Sequence, residues 1–474
     1  MKCKEVEIAI KSGKPFSEDK LGRAPLAQNL TEICDALSES GAVIAIDGEW
    51  GTGKTTFVKM WRQMLEDDEY QTIYFNAWNS DFEDDPFIAL MAELNSVFKA
   101  SDGFRNVVAS GAKIGLKVMG EIAKGVLKKT TGIDSEAISS GLDEAVSLCY
   151  DQMSDYQNKK NGLIEFRNKL SEFVASENKD KTVYFFIDEL DRCNPHFAVK
   201  LLERVKYLFE VPNIIFVLAV NIEQLQYAIQ GYYGSANIDG KQYLKRFIDI
   251  EYTLPAPDLE EYCRFLIKAY DFGSFFNHEQ RRNDRDLYAE GELFESLATD
   301  IIVASNLNLR MTNKIFAYTR LALSGYSATQ YTSSDLFFLL CYLKITNRSI
   351  YESIKEGKYT LQKLLNEIEE VLPPSLFKSD NRYLSDHHIA FALADLLQKY
   401  NYSGLRGIPR ESEFKGKKID DNNSQIIFPI TPKQLSSEKL YEALAYEEQR
   451  GRHNMYGLKP MFNKIDLIDT LRFS

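Results

Sequence analysis

The first half of the chain alternates short apolar runs with amphipathic stretches. Each run is rich in β-branched and aromatic residues and has the length of one buried strand, whereas the stretches between the runs show helical spacing. Buried strands that alternate with helices are typical of a parallel sheet covered on both faces. The pattern therefore predicts an α/β fold with a three-layer, parallel-sheet core, whose strands fall at residues 42–46, 71–75, 182–187, 214–220 and 247–252.

The second half of the chain changes to helical periodicity. After the break at Pro255-Ala256-Pro257, apolar residues recur at helical spacing over 262–270, 293–305 and 311–323, and the run 336–345 is apolar enough for a buried helix. We therefore expect an N-terminal segment at 1–40, the α/β core at 41–257, an α-helical domain at 258–400 and a C-terminal region of unknown role at 401–474.

A long segment at about residues 100–170 interrupts the core between the second and third predicted strands. Its centre, 107–127, is rich in Gly, Ala and Val, but three lysines and a glutamate interrupt it, so no apolar span of about twenty residues remains. The segment predicts an amphipathic helical insertion that packs on the same protein. A peripheral membrane contact is the alternative, because Lys128 and Lys129 add positive charge.

A glycine-rich motif directly follows the first predicted strand and precedes a helix-like segment. It reads G-x-x-x-x-G-K-[ST], the pattern of a phosphate-binding loop or Walker A motif. Glycines let backbone N–H groups point at phosphate oxygens, and the following helix adds its positive N-terminal end. Lys54 is placed to reach the β- and γ-phosphates and Thr55 to hold Mg²⁺; a glycine-rich turn without a ligand is the alternative. The motif and its helix start comprise Gly48, Glu49, Trp50, Gly51, Thr52, Gly53, Lys54, Thr55 and Thr56.

Two carboxylates, Asp188 and Glu189, follow the third predicted strand. The carboxyl ends of parallel strands meet at one edge of a sheet, so this pair and the glycine-rich motif are expected to lie together. Asp188 is then placed to hold Mg²⁺, as in a Walker B motif, and Glu189 to act as general base for water. The alternative is that both residues cap the next helix. Asp191 and Arg192 either join the site or pair with each other.

Composition narrows the class of protein further. Lys and Arg number 57 against 69 Asp and Glu, which gives a net charge of −12, so the charge does not support nucleic-acid binding. The six cysteines are scattered singly and predict buried, reduced thiols. The first residues lack the apolar segment of a secretory signal, which favours a cytoplasmic protein.

Several segments together resemble the KAP family of P-loop NTPases, a branch of the STAND class within the ASCE group. The segment from Asp19 to Arg23 is similar to the family's D-x-L-G-R motif, residues 75–78 to F-N-A-W, and residues 188–193 to D-[DE]-L-D-R-C. The resemblance runs from about Asp19 to Leu323. One departure is Asn221, where relatives commonly carry Asp.

This resemblance implies an ATPase that binds ATP with Mg²⁺ and has Arg23 near the nucleotide. No N-K-x-D guanine motif is suitably placed, which favours ATP over GTP. Many relatives carry transmembrane helices in the insertion, whereas the lysines here indicate a soluble member without a transmembrane segment. Relatives occur in bacterial phage-exclusion systems, so the resemblance implies a role in antiviral defence.

Four further side chains have a functional and a structural interpretation each. Asn221 either orients the attacking water or caps the following helix. Arg246 either reaches the nucleotide of a second copy in trans or is a surface charge, and Arg310 either contacts the γ-phosphate or forms a helix salt bridge. Trp78 is interpreted as a core or interface aromatic rather than a base-stacking group.

Three functions follow from these residues. The first is a switch that binds ATP, self-associates, acts on a protein partner encoded nearby and is reset by hydrolysis. The second is a nucleotide-binding scaffold with little turnover. The third is a nucleic-acid-stimulated ATPase, which the net charge of −12 does not support.

Overall fold

The described residues form two compact units, Ile8–Ala256 and Pro257–Ser474. The computed structural model describes residues 9–83, 85–98, 103–104, 106–110, 148–177, 181–209, 211–327, 330–377, 385–402, 417–420, 423–450 and 457–470. Much of the predicted insertion, residues 111–147, therefore lies outside the described residues.

The first unit is built on a five-stranded sheet in which every neighbouring pair is parallel. The strand order is β2-β3-β4-β1-β5, so β4 separates the strand before the glycine-rich loop from the strand that ends in Asp188. All five carboxyl ends lie along one edge, called here the carboxyl edge. The strands are β1 (Ala42–Asp47), β2 (Gln71–Asn76), β3 (Val183–Asp188), β4 (Ile214–Val220) and β5 (Ile250–Thr253).

Helices cover both faces of this sheet and produce the three layers. Side chains of one strand alternate between the faces: Ile44 and Ile46 pack under the helices of one layer, and Val43 and Ala45 under those of the other. The helices are α1 (Ala24–Leu37), α2 (Lys54–Asp67), α3 (Pro86–Phe98), α4 (Leu148–Glu177), α5 (Pro195–Arg204), α6 (Ile222–Tyr233) and α7 (Gly240–Leu244).

The carboxylate of Asp35 connects α1 to the beginnings of β2 and β3. Asp35 accepts hydrogen bonds from the hydroxyl groups of Tyr70, Tyr184 and Thr182, at 2.6, 2.8 and 3.2 Å. Trp61 of α2 packs edge-on against Tyr184 in the same layer. This layer fixes α1 and α2, and with them the loop between β1 and α2.

The second unit is mainly helical. Its central helix, the run predicted at 336–345, is almost fully buried, which confirms that it is a core helix. The elements are α8 (Leu259–Ala269), α9 (Phe272–Phe276), α10 (Glu279–Arg282), α11 (Arg285–Ser305), α12 (Leu309–Ala322), α13 (Ser334–Thr346), α14 (Arg348–Lys355), α15 (Leu361–Val371), α16 (Ser385–Tyr402), the strands β6 (Lys417–Asp420) and β7 (Asn423–Ile427), α17 (Ser437–Arg450) and α18 (Leu458–Thr470).

The predicted α/β fold class with a parallel sheet and a following helical region is confirmed. Cys34, Cys193, Cys263 and Cys341 are buried free thiols, as predicted. Across the part of the chain that the structure describes, no helix is both long and apolar enough to cross a bilayer.

A buried acidic pair lies in the helical unit. Burial, together with the charges of Asp395 and Glu290, raises the pKa of Asp335 to about 7, although Lys399 acts in the opposite direction. Asp335 and Asp395 each have one buried oxygen without a hydrogen-bond partner among the described residues. The folded state therefore holds a proton on Asp335 at pH values where the unfolded chain has lost it.

We expect Asp335→Asn to stabilise the protein at about pH 8 and to do so progressively less as the pH falls to about 5. A raised carboxyl pKa makes stability fall as pH rises from about 4 to about 7, by about 1.4 kcal/mol per pH unit. The neutral amide removes that dependence. The thermal midpoints of both proteins across this pH range measure the difference, and exposed Glu260→Gln is the control. A constant difference between the two proteins at all pH values would refute the raised pKa.

Candidate functional site

The glycine-rich loop connects the end of β1 to the start of α2 at the carboxyl edge. Gly51 and Gly53 have φ angles of 84° and 86°, a left-handed conformation that side chains with a Cβ disfavour. Gly53 stands at the N-cap of α2, and no side chain caps this helix. The N-terminal N–H groups of α2 are therefore available to an anion, which fits a phosphate.

Lys54 is the first residue of α2 and is buried. Its Nζ donates hydrogen bonds to the carbonyl oxygens of Gly48 and Glu49. Burial lowers the pKa of Lys54, and the nearby carboxylates of Asp191, Asp47 and Asp188 oppose that shift. A buried ammonium group among carbonyls and carboxylates is a strong ligand for phosphate oxygens.

Arg23 is hydrogen-bonded to the backbone of the same glycine-rich loop. Its guanidinium donates to the carbonyl oxygens of Thr52, Gly53 and Pro255, at 3.0, 3.4 and 3.3 Å. Desolvation lowers the pKa of Arg23 to about 10, while the Asp19 carboxylate opposes the shift. Arg23 therefore contacts the loop backbone, and its binding to the nucleotide stays a prediction.

The last residue of β3, Asp188, is 1% exposed. It is paired in register with Asn76 of β2 and Ala219 of β4. Its oxygens accept hydrogen bonds from the Tyr74 hydroxyl at 2.8 Å and from the Glu189 backbone N–H at 2.9 Å. Burial raises the pKa of Asp188, and hydrogen bonds from Tyr74 and Thr55 act against that rise.

The contact between Asp188 and Thr55 brings together the two side chains predicted to hold Mg²⁺. A carboxylate and a hydroxyl are hard oxygen ligands, which Mg²⁺ prefers, and Mg²⁺ usually takes one or two carboxylates plus substrate phosphates. No cluster of three or more His, Cys, Asp or Glu residues fit to hold a metal exists within the described ranges. The residues present therefore fit a magnesium ion that is shared with a phosphate.

Glu189 follows Asp188 in a left-handed conformation, with φ of 61°, which is uncommon for a residue with a side chain. Both carboxylate oxygens have partners: Oε2 accepts from Asn76 Nδ2 at 3.0 Å, and Oε1 forms an ion pair with Arg192. Asn76 ends β2, and Arg192 lies in the 3-10 helix Leu190–Arg192. These partners hold the predicted general base in one position.

Two partly exposed tryptophans, Trp50 and Trp78, contact the residues that follow Glu189. The Trp50 indole N–H donates to Asp191, and the Arg192 guanidinium lies 5.6 Å from the centre of the Trp78 ring. Trp78 is 50% exposed, so the prediction of a core aromatic is wrong, and the interface alternative remains. Asp191 thus has Trp50 as its partner, and Arg192 has Glu189 and the Trp78 ring.

The three remaining candidates lie in different places. The Asn221 side chain caps α6 by accepting from Gln224 N at 3.1 Å, at the carboxyl end of β4. Arg246 is exposed, with its guanidinium over the Tyr243 ring, before the start of β5 and therefore away from the carboxyl edge of its own sheet. Arg310 is an exposed residue of the first turn of α12 in the second unit. Their roles toward a nucleotide stay predictions.

Sequence reasoning missed the partners of the two carboxylates. Tyr74 sits inside an apolar strand, where a tyrosine signals no role, and Asn76 is the second residue of the F-N-A-W segment. Their register opposite β3 is what places them beside Asp188 and Glu189. A signal was present for Asn76, because it ends a strand at the edge where the other polar residues collect.

Comparisons with known proteins agree with this geometry. A sequence profile described as the KAP family P-loop domain matches residues 23–340. The chain is also 21% identical over 255 residues to the phage T7 exclusion protein of Escherichia coli (strain K12). That similarity covers 51% of this chain and 34% of the relative, so the chain spans about a third of the length of that relative.

We expect Arg23→Gln to weaken nucleotide binding by about ten- to a hundredfold without unfolding the protein. The substitution removes charged hydrogen bonds to loop carbonyls, which are worth about 1.5–3 kcal/mol each when buried. Calorimetric titration with a slowly hydrolysed ATP analogue and Mg²⁺ measures the affinity. Lys20→Ala, at a half-exposed lysine of the same segment, is the matched control. Equal affinity in Arg23→Gln and the wild-type protein would contradict this role.

Proposed function

We propose that this chain, which belongs to the KAP family of P-loop NTPases, hydrolyses ATP with Mg²⁺ and uses the nucleotide cycle as a switch. The main support for this proposal is that the glycine-rich loop and the carboxylates of Asp188 and Glu189 lie at the same carboxyl edge of the sheet. Lys54 and Thr55 come from α2, Asp188 ends β3 and Glu189 follows it, yet the Thr55 hydroxyl lies close enough to Asp188 to lower the pKa of that carboxyl.

Each residue has a role in this proposal. Loop N–H groups and Lys54 bind the β- and γ-phosphates, and Thr55 and Asp188 hold Mg²⁺. The bound Mg²⁺ supplies charge neutralisation at the phosphates. Glu189 accepts a proton from the attacking water at a lone pair that Asn76 and Arg192 do not use.

The geometry also supports low turnover in the isolated chain. Asn76 and Arg192 each bond one oxygen of Glu189, so they set the orientation of the carboxylate, and an attacking water molecule has to fit that orientation. A nucleotide-binding scaffold with little turnover is therefore the second candidate function. The two candidates differ in whether the restraint on Glu189 is ever released.

The biological proposal is a role in antiviral defence. It rests on the similarity to the phage T7 exclusion protein, which covers only part of each chain. In this proposal the ATP-bound state self-associates and engages a protein partner encoded nearby. Arg246 serves the nucleotide of a second copy, since its position before β5 does not bring it to the loop of its own chain. Arg310 and Asn221 report on the γ-phosphate.

We expect Lys54→Ala to lower ATP turnover by about a hundredfold or more, the cost of losing one preorganised charge-stabilising donor. Glu189→Gln should lower turnover by about 10²–10⁴-fold, the range of general acid–base catalysis, and should still bind ATP. Phosphate release measures turnover, and calorimetric titration measures binding.

Two exposed residues give matched controls for this experiment, Lys268→Ala on α8 and Glu223→Gln on α6. Both should behave as the wild-type protein does. Equal turnover by Glu189→Gln and the wild-type protein would remove Glu189 as the base. Nucleotide binding without phosphate release in the wild-type protein would leave the scaffold as the better description.

A further inference from the structure

Three aromatic side chains at the carboxyl edge are exposed to solvent. Trp50 is 43% exposed, Trp78 50% and Phe82 78%. We call them the tryptophan surface. Exposed aromatic groups that lie together are typical of protein interfaces, because large rings lose little conformational entropy when they are covered.

The tryptophan surface is held by specific polar contacts. Asn194, the N-cap of α5, donates from its backbone and side chain to Asp81, which fixes the segment between Trp78 and Phe82. The Trp50 indole bonds Asp191, and Trp78 contacts Arg192. These contacts present the rings in fixed positions without burying them.

This surface is connected to the candidate base through a single side chain. The Arg192 guanidinium contacts the Trp78 ring and also forms the ion pair with Glu189. A displacement of Trp78 therefore moves one of the two partners of Glu189. Contact at the surface and the position of the carboxylate are coupled.

A second exposed aromatic group lies elsewhere on the same unit. Tyr207 is 62% exposed, and Tyr233 is 46% exposed with its hydroxyl 2.9 Å from the hydroxyl of Tyr243. Arg246 lies over the Tyr243 ring at 5.6 Å. We call Tyr207, Tyr233, Tyr243 and Arg246 the tyrosine surface.

The two surfaces lie toward opposite ends of the strands. α6 begins immediately after β4 at the carboxyl edge and ends at Tyr233, and both Tyr243 and Arg246 precede the first residue of β5. A patch on one copy that fits a different patch on the next copy gives a head-to-tail contact. Because the two surfaces lie toward opposite ends of the strands, one surface of a copy can face the other surface of a second copy.

The charges of the two surfaces are complementary. Around the tryptophan surface are the carboxylates of Glu49, Asp81, Glu83 and Asp191, with Arg192 as the nearby cation. The tyrosine surface is flanked by exposed Lys241 and Lys245 and by Lys206 besides Arg246, with Glu203, the N-cap Asp239 and Asp249 as its carboxylates. An acidic aromatic patch and a basic aromatic patch favour contact with each other over contact with themselves.

We propose that the tryptophan surface of one copy binds the tyrosine surface of a second copy, and that this contact moves Arg192 away from Glu189. The inference rests on the proposed ATPase function and adds the partner surface and the residue that transmits the contact. Arg192 acts as a positioning residue: it restrains the base in the single chain, and docking ends the restraint. The same contact brings Arg246 toward the nucleotide edge of the neighbouring copy.

Sedimentation with Mg²⁺ and a slowly hydrolysed ATP analogue tests the contact. The wild-type protein should assemble, and Trp78→Ala and Tyr233→Ser should each need at least about tenfold more protein to do so, since buried aromatic anchors dominate interfaces. Tyr227→Ser, at a 56% exposed tyrosine on another face of α6, should match the wild-type protein. Unchanged assembly in both surface variants would overturn the contact.

Cross-linking determines the direction of the contact. Phe82→Cys and Tyr233→Cys, made in separate copies and mixed with the analogue under mild oxidation, should form a covalent dimer only when both are present. The wild-type protein treated in the same way gives the background from native cysteines. A dimer formed by Phe82→Cys alone above that background would indicate a symmetric contact and would overturn the head-to-tail arrangement.

Turnover tests the role of Arg192. Wild-type turnover per molecule should rise with protein concentration, whereas Arg192→Ala should be several-fold faster than the wild-type protein at low concentration and depend less on concentration. Arg192→Lys, which keeps the charge, should resemble the wild-type protein. Slower or unchanged turnover in Arg192→Ala at low concentration would overturn the restraint. If the wild-type protein releases no phosphate at any concentration, the proposed function fails, and the assembly and cross-linking results still decide the docking surfaces.

Discussion

Burial of the Asp188 carboxylate at the end of β3 is the constraint on which the rest of the site depends. A carboxylate that is 1% exposed is costly unless hydrogen bonds or a cation compensate it. Tyr74 and Thr55 supply hydroxyl groups from a neighbouring strand and from the loop helix, and the Glu189 N–H supplies a third donor. The sheet register positions Tyr74, and the glycine-rich loop positions Thr55. Compensation of one buried carboxylate therefore requires β2, β3 and α2 to keep their relative positions.

The order of the strands decides which other residues can take part. β4 lies between β1 and β3, so Asn221 at its end stands between the glycine-rich loop and Asp188. Its side-chain oxygen caps α6, which orients the amide group. The structural and the functional interpretation of Asn221 are therefore compatible, because an amide can accept with its oxygen and donate with its nitrogen.

The sequence was sufficient for features that depend on local periodicity and on glycine. The strands at 42–46, 71–75 and 214–220 match the structure to within a residue, because buried parallel strands are short apolar runs with polar ends. The fifth strand begins at Ile250 rather than 247, since Phe247 and Ile248 bond back to Leu244 in a turn. Apolar character alone does not distinguish such a turn from a strand.

Features that depend on register could not be predicted in the same way. Asn76 reaches Glu189 only because β2 pairs with β3 in register, whereas Arg192 is three residues further along the same segment. The sequence left open whether Trp78 is a core or an interface aromatic, and its 50% exposure excludes the core position. One face of the exposed ring carries the Arg192 guanidinium, a contact between distant segments that the sequence does not indicate.

The backbone of Glu189 explains how a contact at an exposed ring can affect the catalytic edge. Its left-handed conformation turns the chain directly from β3 into the helix that carries Asp191 and Arg192, with no intervening loop to absorb a displacement. Trp50 holds Asp191 and Trp78 holds Arg192, so two exposed indoles control both charged residues of this short helix. A contact that shifts either indole thus acts on a helix that begins one residue after Glu189. This proximity favours direct mechanical coupling over a signal relayed through the apolar core.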